Sequence, residues 1–249
     1  MAEGASLVLS TFVTPAYSLS DDFPSQVPAL PLPPIIFDEF SSSKVTPEQM
    51  DMLWARGWRH FGSRFFQNSL HLQQNRWLLI VPLRVRLDAF VPSKSQRRIL
   101  RKNEDLKCTF EPAAMTEELE AMFLKHKSRF SENVPSSLRD FLGENLQHYP
   151  CDCRLLRCTL EGQTIAASFI DMGAFGVSSV YGIFDPDYSG RSLGIFTMLK
   201  EIEYARAEGR FFYYPGYATH EPSRYDYKKQ FSGLEGMDWI KWEWSPLPV

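Results

Sequence analysis

The stretch VYGIFDPDYSGRSLGIFTMLKEIEYARAEG, Val180 to Gly209, decides the fold. Its start belongs to SSVYGIF (Ser178 to Phe184), a β-branched and aromatic run that reads as a strand. DPDYSG is a cluster of turn formers. Ser192 then predicts a helix N-cap, and Ile195, Phe196, Leu199, Ile202 and Ala205 recur at helical spacing up to a stop near Gly209. Working outward, FFYYPGY (Phe211 to Tyr217) is a further buried strand. Upstream, CRLLRCTL, the turn Glu161-Gly162 and QTIAASFIDMG predict a β-hairpin. Downstream come a polar loop and helix, then MDWIKWEW as a closing strand. This order of strands and helices predicts an α+β fold with one mixed sheet and flanking helices.

Of 249 residues, 44% are hydrophobic and 14% aromatic, enough to bury a full core. The net charge of −3 excludes a generally basic nucleic-acid coat, so DNA is not an expected partner. No apolar run is long enough to span a membrane. The first lysine or arginine is Lys44, which does not match a signal or transit peptide, and a cytoplasmic protein is expected. Cys108, Cys151, Cys153 and Cys158 lack zinc-knuckle spacing and are expected as reduced thiols.

Residues 1–34 carry Pro15, Pro24, Pro28, Pro31, Pro33 and Pro34 among many serines and read as a flexible proline-rich arm. Residues 35–110 form a smaller α/β N-terminal region, and 111–249 the main domain. In the former, Thr46, Pro47 and Gln49 predict a capped helix with Met50, Leu53 and Trp54 inward and Gly57 as its stop. WLLIVPLRVRL (Trp77 to Leu87) reads as a strand with Arg84 and Arg86 on one face, and Pro82 suggests an edge or a bulge. After residue 110, Thr116 predicts a helix carrying Leu119, Phe123 and Phe130, and a second helix is expected around Leu138, Phe141, Leu142 and Leu146.

Within PSKSQRRILRKN, the cations Lys94, Arg97, Arg98, Arg101 and Lys102 share one face of a short helix. Ser93 and Gln96 form its capping-box pattern, while Ile99 and Leu100 supply an apolar anchor opposite the charge. Like charges at these spacings repel, and a polyanion relieves that repulsion. A solvated basic helix is the alternative reading.

Three segments in order, RGWRHFG (Arg56 to Gly62), the basic PSKSQRRILRKN, and Val180 to Gly209 leading into GYATHEPSRYDYKKQF, resemble one family. It is the aminoacyl-tRNA–protein transferases of the N-degron pathway: the arginyl-tRNA–protein transferase and its bacterial leucyl-transferring relative. The resemblance implies a GNAT-like fold and an enzyme that moves arginine or leucine from charged tRNA to the α-amine of a protein beginning with Asp or Glu. Aminoacyl-tRNA is then the donor, and no cofactor is needed. The chemistry is aminolysis of an ester, which requires positioning, oxyanion stabilisation and removal of a proton. By matching position, Asp185, Asp187, Ser192 and Gly194 line the donor side, and the five cations of the basic helix bind tRNA. Arg224 and Lys228 are expected at the acceptor, with His220 and Tyr227 near the proton that moves.

Departures accompany the match. Members with an N-terminal cysteine group hold a metal or iron–sulfur cluster there, whereas no cysteine precedes Cys108 in this chain, so no metal is expected. The family's lysine-methionine is Arg224-Tyr225, and its Ser-Pro is reversed as Pro222-Ser223. Phe196 stands where a CoA-binding turn needs a small residue and is expected to crowd a pyrophosphate. Two alternatives stay open: another GNAT-fold N-acyltransferase, either CoA-dependent or of peptidoglycan type, and a catalytically silent tRNA-binding relative.

Overall fold

The computed structural model describes residues 34–73, 75–130, 134–223 and 225–247. The expected arm over 1–34 therefore lies outside the described residues, apart from Pro34. The chain runs through β1 (Phe37–Ser41), α1 (Pro47–Ala55), β2 (Arg59–Phe61), β3 (Arg64–Asn68), β4 (Leu70–Gln73) and β5 (Arg76–Arg86). Next come α2 (Lys94–Lys102), β6 (Lys107–Pro112), α3 (Glu117–Lys127) and the single turn α4 (Arg139–Leu142). The remainder is β7 (Cys153–Leu160), β8 (Gln163–Met172), β9 (Gly176–Phe184), α5 (Leu193–Ala207), β10 (Phe212–Thr219), β11 (Leu234–Asp238) and β12 (Glu243–Pro246).

Strands β1, β3 and β2 form a small sheet, and the large mixed sheet runs β12-β11-β5-β10-β9-β8-β7-β6 with β4 beside β5. All pairs in the large sheet are antiparallel except β9 with β10, the two strands that α5 connects. The alternation of β8 sorts the core into two faces. Ala167 and Phe169 pack with Leu119 and Phe123 of α3, while Ile170 and Met172 pack with Leu199 and Ile202 of α5. No helix among the described residues is long and apolar enough to cross a membrane.

Several expectations hold at residue level. Thr46 and Ser93 each cap their helix with a full capping box, and Thr116 caps α3. Glu161 and Gly162 take positive φ at the tip of the β7–β8 hairpin. Others need correction. The boundary expected near residue 110 is bridged, because β5 pairs with β10 and β11, and Pro33–Val249 is one compact unit. Pro82 lies inside the large sheet, opposite Tyr217, so the edge alternative falls, while the bulge alternative holds: the β5–β10 register shifts between Tyr213 and Gly216, opposite Val85 and Leu83. On its other flank the β4 pairing ends at Leu79 and the β11 pairing begins at Leu83, which leaves a gap that suits a residue without an N–H. The helix expected around Leu138–Leu146 is only the turn α4 and a 3₁₀ turn at Leu146–His148, separated at Gly143, whose φ is 75°. MDWIKWEW is a hairpin and not one strand: Asp238 Oδ1 accepts from the N–H groups of Ile240 and Lys241, and Trp242 takes a φ of 58°.

Ser192 occupies the position before α5, but with a left-handed φ of 56° and no side-chain cap bond. Its hydroxyl therefore does not hold the helix N-terminus as expected. Phe196 turns inward, only 2% exposed, among Leu106, Leu156 and Ile165. It does not crowd the first turn of α5, so the steric argument against a pyrophosphate there falls.

Candidate active site

The parallel strands β9 and β10 pair only over Gly176–Ser178 and Phe212–Tyr214, then part. Backbone groups beyond the parting need other partners. Arg59, delivered by β2, enters this wedge: its Nη1 donates to Ser178 Oγ and its Nη2 to the Ser179 carbonyl. Burial lowers the pKa of this guanidinium, against the attraction of Tyr217 and Asp171. A permanent cation thus sits between the strands.

Two further ionisable groups reach the same wedge. Glu201 of α5 is fully buried. It accepts from Ser168 Oγ and, at 2.6 Å, from the Tyr213 hydroxyl. Burial pushes its carboxyl up to about 7, against these hydrogen bonds. Lys228 lies in a 3₁₀ turn over Asp226–Lys229. Its stem is partly exposed, but its Nζ reaches inward to within 3.3 Å of the Tyr217 carbonyl and 5.3 Å of the Tyr225 ring centre. Burial and then Arg59 lower its amine to about 7, with Glu201 acting the other way. Gly216, at φ +98°, presents its bare Cα here. A Cβ on it would stand 3.3 Å from Lys228 Nζ and 3.8 Å from Arg59 Nη2, so both heads converge beside this glycine and leave no room for a side chain.

Beside the wedge, His60 Nε2 lies 2.8 Å from Asp171 Oδ2 and its Nδ1 2.8 Å from the Gly62 carbonyl. The Tyr149 hydroxyl donates to Asp171 Oδ1 at 2.9 Å. Asp171 stands opposite Ser178 in the β8–β9 register, which ties this pair to the strand that Arg59 grips. Metal-ligating atoms of His60, Cys151 and Asp171 fall within 4.8 Å of one another. Both imidazole nitrogens already face acceptors at hydrogen-bond distance.

Helix α2 rests on the same side of the sheet as α5, with Ile99 and Leu100 packed among Leu193, Phe196 and Ile202 neighbours. Lys94, Arg97, Arg98, Arg101 and Lys102 are all exposed. Among the described residues none of the five forms an ion pair, although Lys102 Nζ donates to the Gly190 carbonyl and Arg97 to that of Pro92. Arg191 clamps the junction through Asp105, at 2.8 and 2.9 Å. Gln96 Nε2 donates to the Gln230 carbonyl at 3.1 Å, which joins the basic helix to the loop that carries Lys228.

Of the residues expected from sequence, Lys228 enters the wedge. Tyr227 is exposed on the neighbouring turn position, and its phenol acts on the buried Tyr213. His220 is exposed just past β10, with its backbone N–H bonded to the Leu79 carbonyl. Arg224 lies outside the described residues. Asp185 is buried and accepts from the Asp187 N–H and from Lys125 Nζ at 2.9 Å, which builds the turn before α5. Asp187 is exposed, and Gly194 has only an ordinary 3.7 Å neighbour where a Cβ would stand. Arg59, Ser168, Glu201, Tyr213 and Gly216 carried no sequence-based role. Arg59 lies inside RGWRHFG, and Glu201, four residues before the inward Ala205, falls on the buried face of α5; these were the available signals.

The mixed sheet, its one parted parallel pair and the crossover helix α5 with polar groups in the parting define a GNAT-like fold. Residues 116–238 match the family model for "Arginine-tRNA-protein transferase, C terminus". The aspartate/glutamate leucyltransferase of Marinobacter nauticus is 32% identical over 188 residues, covering 74% of this chain and 77% of that protein. That of Leptospira interrogans is 29% identical over 194 residues, covering 76% and 74%. Among solved structures, L-PGS from Bacillus licheniformis matches with a TM-score of 0.47 at 16% identity, over 75% of this chain and 54% of that one. The chain belongs to the family of these aspartate/glutamate leucyltransferases and is an aminoacyltransferase.

Proposed function

We propose that the protein transfers leucine from its tRNA to the α-amine of cytoplasmic proteins that begin with Asp or Glu, as a step of an N-degron pathway. The observation that carries this reading is the cationic wedge between β9 and β10, joined through Gln96 and Gln230 to the exposed basic face of α2. The five cations of α2 grip the phosphates of the tRNA. The charged 3′ end then enters the wedge past the α5 N-terminus, along the Asp185–Gly194 turn. There the permanent cation Arg59 favours the oxyanion that forms at the ester carbonyl. Arg224 takes the acidic side chain of the acceptor, since a guanidinium holds a carboxylate bidentately. Lys228 meets the acceptor's reacting end, with His220 and Tyr227 at the mouth. The donor carries its own activated ester, so the step as drawn uses no further cofactor.

Leucine is preferred over arginine because both named relatives are leucyltransferases. The test is a transfer assay with leucyl- and arginyl-tRNA and peptides that differ only in their first residue. Leucine should reach peptides starting with Asp or Glu and not those starting with Asn or Gln. Transfer of arginine alone would change the donor, and no transfer from any charged tRNA would remove the reading.

A further inference from the structure

We propose that Lys228 is the proton acceptor of the transfer, with Arg59 and Glu201 as positioning residues on either side of its amine. The proposal rests on the aminoacyl-transfer reading and adds to it an assignment for the proton.

The geometry is specific. Lys228 reaches the parted strands at the Tyr217 carbonyl, while Asp226 and Lys229 pair with each other at 2.8 Å. Its Nζ and the Nη2 of Arg59 both lie within 4 Å of the place where a Cβ on Gly216 would stand, at 3.3 and 3.8 Å. Both heads thus lie close to Gly216, and an ester carbonyl brought up against this glycine meets a fixed cation and an amine. The groups that face Lys228 are Arg59 from β2, Glu201 from α5, the Tyr217 carbonyl from β10 and the Tyr225 ring beside its own turn, while Tyr227 acts on Tyr213. Arg59 repels a charged Nζ and Glu201 favours it, so the two set its protonation from opposite sides. An amine near 7 is half neutral at physiological pH, where an ordinary lysine is almost wholly charged.

The step balances. The acceptor's neutral α-nitrogen attacks the ester carbonyl, and a C–N bond forms as the carbonyl becomes an oxyanion beside Arg59. Neutral Lys228 takes the proton that the nitrogen sheds. The oxyanion collapses, the bond to the ribose oxygen breaks, and that oxygen leaves with the proton returned by the Lys228 ammonium. The amine is regenerated and no external acid, base or oxidant is consumed.

The test uses the full chain in two readouts. In protein carrying ¹³C-labelled lysine, the Lys228 Cε resonance should titrate near 7 in the unaltered protein, higher than this in Arg59→Met and lower in Glu201→Gln. In the transfer assay, the rise of kcat/KM with pH should move in the same two opposite directions. Lys228→Met should lose roughly 10²- to 10⁴-fold in kcat. Groups that served only to hold the fold would lower the rate without moving the profile, or move it the same way in both variants. Titration of Lys228 above 9 in the unaltered protein, or a pH profile that neither variant displaces, overturns the assignment even if leucine is transferred. Should no charged tRNA support transfer, the resonance still decides the lysine while the functional reading fails separately. Where Arg59→Met does not fold, Arg59→Lys and Glu201→Gln supply the two directions.

Discussion

Neutralising part of the basic face of α2 should weaken RNA binding and strengthen the fold at once. Lys94, Arg98 and Arg101 are exposed and have no ion pair among the described residues. The face makes like-charge contacts at 94–97, 94–98, 97–101, 98–101 and 98–102, and every one of them includes one of these three residues. Replacing all three by Gln removes every such repulsion, which stabilises the helix by about 1–2.5 kcal/mol at 0.2–0.5 kcal/mol per pair. Loss of Arg101 from the last turn gives back up to roughly 1 kcal/mol of its interaction with the helix dipole. The anchors Ile99 and Leu100 and the Ser93–Gln96 capping box are untouched. For a chain of this size the net gain should appear as a rise in Tm of about 2–4 °C per kcal/mol.

RNA affinity moves the other way. Three lost phosphate contacts should flatten the slope of log affinity against log salt by about 2 to 3, and lower affinity roughly 10²- to 10³-fold at 0.1 M salt. The assay is fluorescence anisotropy of labelled tRNA from 50 to 300 mM salt, with scanning calorimetry on the same samples. A variant with unchanged affinity and an unchanged salt slope would refute the docking of tRNA on this face. A fall in Tm together with a fall in affinity would instead show that the helix had been damaged, and would refute the accounting of repulsions.

The remaining predictions concern the frame of the site. Burial holds His126, 4% exposed, down at about 4, so its stabilising contribution is complete above its unfolded value of 6.5 and is lost as pH falls through 4. The loss amounts to on the order of 3 kcal/mol. His126→Met should show a flatter urea-derived stability curve over that window, and superimposable curves would contradict the assignment. Phe196→Ala empties the cluster beneath both α2 and the α5 N-terminus and should cost about 3–5 kcal/mol, read from urea unfolding. A loss under about 1 kcal/mol would mean that the phenyl ring is not packed as described. Gly233→Ala places a Cβ 2.8 Å from the Arg86 carbonyl at a φ of +70°, and a loss of about 1–3 kcal/mol is expected in the same measurement. An unchanged midpoint would show that the β5–β11 junction relaxes freely.

The local devices of this fold were legible because each lies within a few residues of sequence. Thr46 with Gln49, Ser93 with Gln96, and the Glu161-Gly162 turn all act over one to three positions. The strand–turn–helix of Val180 to Gly209 was read for the same reason: its periodicity and its turn cluster are adjacent. What failed was set by distant partners. Pro82 suggests an edge or a bulge; β5 is internal, with a register shift against β10 beside the proline, and the gap between β4 and β11 that tolerates it exists only once both strands have folded onto it. Ser192 had a cap's chemistry, but the 3₁₀ turn before it, fixed by Asp185 and Lys125, delivers it in a left-handed conformation.

The wedge illustrates the same limit on function. Arg59 reaches Ser178 across 119 positions of chain, and Lys228 reaches Tyr217 only because β10 and the following turn fold back on each other. No window of sequence contains that convergence. One part of it did leave a local trace. A carboxylate on the inward face of an amphipathic helix opposes the burial that the rest of the face obtains, since an unpaired buried charge is strongly disfavoured. Glu201 sits among Met198, Ile202 and Ala205 and is satisfied by groups from other elements, Ser168 and Tyr213 among them. Such a residue marks a place where the core has been built around a polar group, and it lies beside the one point in the sheet where parallel strands separate. The violated pattern in α5, more than any motif, is therefore where sequence reading should have looked for the chemistry.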